Sequence, residues 1–250
     1  MSDVTTVMGK ELLEMRRGSG NQGARSLIGL VALLLAFSVI APFLAGAESF
    51  GGIGTLLIGP MVAATWALTS VPDAFAGERE RHTLETLLTT RLPARAILVG
   101  KVLANVASAS LVGILGIVAS IVAGNVGGMV RHDQDGIDVQ WLEAGLGVAA
   151  TGLTALLVCN LGILVALRAS SAMNAQRALG LGLAGMLLLL SWGVQALPQG
   201  LQSDLSTLAD DIEGLSVAAL VALGVGVYVV LNLALVGVTL ARFTRPKLVR

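Results

Sequence analysis

The sequence predicts an all-α integral membrane protein with six transmembrane helices, and three observations carry that expectation. Of 250 residues, 55% are hydrophobic and only 13% charged, against roughly 25% charged in a soluble domain. Six separate stretches are long and apolar enough to cross a bilayer, and none contains Asp, Glu, Lys, Arg or His. Nearly all of the 16 Lys and Arg residues fall on one side of those stretches.

A spanning helix needs about 20 mostly apolar residues, because each adds about 1.5 Å toward crossing about 30 Å of hydrocarbon. The six predicted spans are 26–46, 52–71, 102–124, 145–167, 178–197 and 217–241. Core helices of soluble proteins carry a polar face, and these do not. The first stretch reads as a retained span: its apolar core starts late in the chain and lacks a small-x-small exit. It is also longer than the roughly 7–15 apolar residues of a signal peptide. Pro60 predicts a kink in the second span.

Orientation follows from the basic residues. Lys10, Arg16, Arg17 and Arg25 precede span one; Arg79, Arg81, Arg91, Arg95 and Lys101 lie between spans two and three. Arg168 and Arg177 flank the loop between spans four and five, and Arg242, Arg245, Lys247 and Arg250 follow span six. Only Arg131 lies opposite, among Glu48, Asp133, Asp135, Asp138, Glu143, Asp204, Asp210, Asp211 and Glu213. Both termini are therefore expected in the cytoplasm. The net charge of zero leaves no global basic field for nucleic acid. A single cysteine, Cys159, excludes an internal disulfide and a Cys-rich metal site.

Ahead of span one, Val4, Met8, Leu12 and Met15 recur at helical spacing, with Lys10, Glu14 and Arg17 on the other side. Residues 4–17 are expected to form an amphipathic interfacial helix suited to the headgroup layer, ended by Gly18, Gly20 and Gly23. The outer loop 125–144 is acidic, and Leu201, Leu205, Leu208 and Leu215 suggest a short amphipathic helix on the outer surface. No outer loop is long enough to fold alone, so residues 1–250 read as one membrane domain.

The informative stretch runs from Ala74 to Ala104, AFAGERERHTLETLLTTRLPARAILVGKVLA. Glu78, Arg79, Glu80 and Arg81 form a charged patch at the mouth of span two. Thr83 can cap a short helix over 83–90 by accepting an unpaired backbone N–H, and Glu85 in its first turn suits the helix dipole. Leu84, Leu87 and Leu88 share one face. So short a helix needs a surface to pack on, and a helix-in-groove contact with a cytoplasmic partner would use that leucine face.

The run Gly77-Glu78-Arg79-Glu80, then Thr83-Leu84-Glu85-x-Leu87-Leu88, then Pro93, Ile97-Leu98 and Gly100-Lys101, resembles the coupling segment of ABC-2 type permeases. These include small bacterial permeases similar to the sodium-export and nitrous-oxide-reductase maturation systems. The architecture is similar along nearly the whole chain, while the sharp motif covers about 25 residues. His82 departs from it, standing where the family often has a small residue. The resemblance implies a multi-pass permease in a bacterial inner membrane, one of two copies or one of two similar permeases, joined to two ATP-binding subunits. It implies that Glu78, Arg79, Glu80, Thr83, Leu84, Glu85, Leu87 and Leu88 couple ATP hydrolysis in the partner to export by alternating access.

The chain itself shows no P-loop, G-x-x-x-x-G-K-[ST]: Gly100-Lys101 is followed by Val102, and Gly9-Lys10 by Glu11. ATP and Mg would belong to the partner, and no cofactor or metal is expected on this chain. An intramembrane enzyme needs a nucleophile and base at depth, but His82 and His132 are in loops. No catalytic residue is expected. The uncharged spans also disfavour an ion-coupled secondary transporter. That class, and a membrane scaffold or assembly subunit driven by an ATPase without moving a solute, are the alternatives. Asn105, Asn160, Ser191, Gln195 and Asn232 are candidate translocation-pathway residues, although polar residues in spans also serve interhelical hydrogen bonds. Gly180, Gly182 and Gly185, like Gly224 and Gly226, predict close helix approach.

Overall fold

A computed structural model of the chain describes residues 2–17, 31–32, 34–44, 53–80, 94–131, 141–196 and 217–242. The regular structure among them is entirely helical. Helix α1 is Ser2–Arg17. Residues 34–44 follow as a helical stretch containing a π-helical turn, Ala36–Ile40. Then come α2 (Ile53–Pro72), α3 (Ala94–Arg131), α4 (Trp141–Ala166), α5 (Ala172–Ala196) and α6 (Val217–Arg242).

Within the described residues, Ala96–Val130 and Ala144–Ala166 are long and apolar enough to cross a membrane, and Val225–Thr239 is a shorter apolar helix. Exposed large side chains on α3 fit a lipid-facing surface. Leu111, Leu115, Val118, Val122, Val126 and Met129 recur every three or four residues and form one stripe, with Leu103 eight residues earlier on the same side.

Helix α3 differs most from its predicted span. It begins at Ala94, directly after Pro93, and runs unbroken to Arg131 over 38 residues, about 57 Å at 1.5 Å per residue. Hydropathy marks only the apolar middle of such a helix; backbone hydrogen bonding carries it on through polar residues at both ends. Helix α5 likewise starts before its predicted span. Ser171 caps it, its Oγ accepting the backbone N–H of Asn174 at 3.1 Å. Residues 167–171 thus make a tight α4–α5 turn, with Arg177 already inside α5.

Helix α2 carries Pro60 and Pro72. Proline has no N–H to close the ladder, and after Pro72 the chain widens into a π-helical turn, Asp73–Gly77, before a last helical turn, Glu78–Glu80. The sequence places a break near Pro72; it does not indicate a π turn.

The core lies where α2, α3 and α4 cross. Ala63, Ala67, Val71 and Phe75 meet Leu98 and Ala109, and beyond them Ala155, Val158, Cys159 and Ile163. Small residues let the backbones approach closely, which suits packing where helices cannot gain from leaving water. A Cβ added to Gly113 would lie 2.7 Å from the Gly59 carbonyl oxygen and 2.5 Å from Thr151 Cγ2. Close approach therefore falls at Gly59 and Gly113. Among the described residues, an added Cβ at Gly180, Gly182, Gly185 or Gly226, where the sequence suggests it, meets nothing within 4 Å.

Polar side chains tie the periphery to this core. Trp66 Nε1 donates to Ser108 Oγ at 3.3 Å between α2 and α3, and Gln176 Nε2 to the Thr69 carbonyl at 3.2 Å between α5 and α2. Tyr228 donates its hydroxyl to Thr154 Oγ1 at 3.0 Å, joining α6 to α4.

Candidate functional site: a buried lysine between the ends of two helices

The turn after α2 ends at Glu80 and α3 starts at Ala94, so these two helix ends are the stems of the charged stretch between them in sequence. Between those stems sits Lys101, only 1% exposed. An unpaired ammonium there would cost several kcal/mol of lost hydration (on the order of). It is fully matched instead. A lysine ammonium has three donors, and three acceptors meet it: Glu11 Oε1 at 2.7 Å, Glu78 Oε1 at 2.8 Å and the Ala74 carbonyl at 3.0 Å. The Phe75 ring adds its face, with the centroid 5.6 Å from Nζ.

Each partner arrives by a different local device. The π-helical turn after Pro72 contributes the Ala74 carbonyl and buries Phe75. Glu78 stands one residue past that turn, buried at the foot of the segment. Glu11 comes from α1, which packs along α3 where Gly100 leaves room. A Cβ on Gly100 would lie 2.8 Å from Val7 Cβ and 3.2 Å from the Val4 carbonyl oxygen. Val4, Val7, Met8 and Glu11 follow helical spacing, and Val7 and Glu11 are both buried. The packed face is thus rotated from the purely apolar one, and it takes in a carboxylate. Lys10, half-exposed, lies 3.9 Å from Glu78, so α1 reaches both stems.

Burial pushes the Glu11 carboxyl above its ordinary range; the charge and hydrogen bond of Lys101 pull the other way, and Glu78 adds to the upward push. A carboxyl raised in the folded state contributes stability that is full below its unfolded pKa, about 4.3. That contribution is lost as pH rises through the folded value. In detergent, the melting temperature of wild type relative to Glu11→Gln is therefore expected to fall as pH rises from about 4. A difference that stays flat with pH would refute this account of Glu11.

A model of the ABC-2 family transporter protein matches residues 6–244. The chain belongs to that family. No curated protein and no solved structure matches it. It is accordingly a multi-pass helical membrane protein, the membrane component of an ABC-2 family transporter.

Of the coupling residues that the ABC-2 resemblance implies, the structure places Glu78 in the lysine cluster and Glu80 exposed at the end of the same turn. Arg79 lies between them. Thr83, Leu84, Glu85, Leu87 and Leu88 lie outside the described residues. The two ends of the quoted motif, Glu78 and Lys101, meet in space. Glu11 is the member of the cluster that the sequence does not single out, and its one signal is its place on the Val4–Val7 stripe.

Among the pathway candidates of this ABC-2 chain, Asn105, Asn160 and Asn232 are buried. Each donates its amide to the carbonyl one turn back: Lys101 at 2.9 Å, Leu156 at 2.8 Å and Tyr228 at 2.9 Å. Oδ1 of Asn105 and of Asn232 has no partner among the described residues. Ser191 and Gln195 lie in α5, but their side chains are outside what is described.

Proposed function

We propose that this chain is the permease subunit of an ATP-driven exporter, with six spans and both termini in the cytoplasm of a bacterial inner membrane. Two copies, or this chain and a similar permease, work with two ATP-binding subunits that supply all ATP and Mg chemistry. This chain binds no cofactor and catalyses nothing itself. The family match over residues 6–244 carries this reading, and the distribution of basic residues supports the orientation.

The helix 83–90 docks in the partner through Leu84, Leu87 and Leu88, with Glu78, Arg79, Glu80, Thr83 and Glu85 around it. Closure of the ATPase pair then moves the stems, and the spans alternate between inward- and outward-facing states. Asn105, Asn160, Ser191, Gln195 and Asn232 provide an uncharged polar interior for an amphiphilic or neutral cargo. Purification from cells expressing the chain with its neighbouring genes should recover an ATPase; recovery of none rejects the reading. Leu87→Glu should weaken the association by about 30-fold or more, the effect of losing an interface anchor worth about 2 kcal/mol. Undiminished association would place the interface elsewhere.

A further inference from the structure

We propose that Glu11, acting through Lys101, holds α1 against the end of α2 and the start of α3, which makes α1 part of the apparatus that moves the spans. The coupling role rests on the function proposed above; the positioning itself does not.

The geometry argues for more than a prop. Lys101 joins three separate places in the chain, and all three of its protons are taken. Glu11 and Lys101 are 90 residues apart in sequence, while Glu78 and Lys101 bracket the segment between them. Helix α1 contacts one stem through Glu11–Lys101 and the other through Lys10–Glu78. Its register is fixed between these contacts, because Val7 fills the notch at Gly100. The stems therefore cannot separate without breaking an ion pair that involves α1. The cluster contains two cations, Lys10 and Lys101, and two carboxylates, Glu11 and Glu78, and their charges cancel.

The cluster also favours lysine over arginine. Three acceptors converge on one nitrogen, a geometry that a compact ammonium satisfies and a planar guanidinium fork does not.

Two measurements on the full-length chain with its ATPase test the proposal. The first places spin labels at Leu13→Cys and Glu80→Cys in a Cys159→Ala background. Leu13 is exposed on α1, and Glu80 is exposed at the end of the turn that follows α2. Glu11→Gln should shift or broaden the label–label distance; an unchanged distance overturns the positioning role, whether or not an ATPase is bound. The second reads ATP hydrolysis by the complex. Glu11→Gln should lower kcat by roughly threefold or more, a common range for coupling mutations, with KM for ATP unchanged, at a temperature where the variant remains folded. An unaltered kcat overturns the coupling role. If Glu11→Gln does not fold, Glu11→Asp, which keeps the charge but shortens the reach to Lys101, decides by the same readings. Absence of any ATPase with the wild-type chain rejects the proposed function, while the distance measurement still judges the positioning.

Discussion

Replacing Lys101 with Met is expected to destabilise the protein by about 3–5 kcal/mol, the cost of removing one partner from a buried ion pair. Total stabilities run only about 5–15 kcal/mol, so the detergent-solubilised variant should lose most of its cooperative thermal transition and much of its yield. The loss arises from what is left behind: the Glu11 and Glu78 carboxylates face each other in a site closed to water. Glu11→Gln alone should be far milder, because burial already disfavours the charged form of Glu11. The combination Lys101→Met, Glu11→Gln and Glu78→Gln should recover much of the stability, since a wholly neutral replacement of a buried ion cluster is often tolerated. Equal melting temperatures for Lys101→Met and Glu11→Gln would contradict this account.

Gly113→Val should be nearly as damaging, through packing and without any charge. Even the first added carbon would lie 2.7 Å from the Gly59 carbonyl oxygen, 2.5 Å from Thr151 Cγ2 and 3.0 Å from Ala63 Cβ. A flexible side chain in that position could turn away, whereas a helix backbone cannot. Overpacking of this kind costs about 1–3 kcal/mol and sometimes more, and valine adds two further methyl groups. Gly145→Ala provides the contrast, because its Cβ meets nothing within 4 Å and alanine is the better helix former by about 1 kcal/mol. Thermal unfolding of the two variants beside wild type checks the ordering. Gly113→Val as stable as Gly145→Ala would mean that the three helices do not cross as described.

These two residues show what the sequence exposes and what it hides. Hydropathy located the apolar body of α3 and α4, because the cost of placing polar groups in hydrocarbon is written residue by residue. The charged stretch after α2 stood out for the same reason. Pairings across space leave no such trace. Lys101 counts in the sequence as one more positive loop charge, and only the fold shows it sealed against Glu11, 90 residues away. The crossing at Gly59 and Gly113 was equally hidden, because 31 glycines are spread along the chain. Spacing alone cannot say which of them faces a neighbour. The π-helical turn depends on how the backbone after Pro72 relaxes, which no periodicity reports.

Helices α2 and α3 leave the lysine cluster side by side with opposite mechanical characters. Helix α2 is interrupted by two prolines and ends in a widened turn, which makes it compliant along its length. Helix α3 has no proline over its 38 residues. As a rod of about 57 Å, tilting by about 5° about its N-terminal end, it would displace the far end by about 5 Å. Lys101 lies close to that pivot. An ångström-scale adjustment at the ion cluster would therefore reach the far end of α3 multiplied by leverage, with the prolines and widened turn of α2 the places where the neighbouring helix could bend to follow.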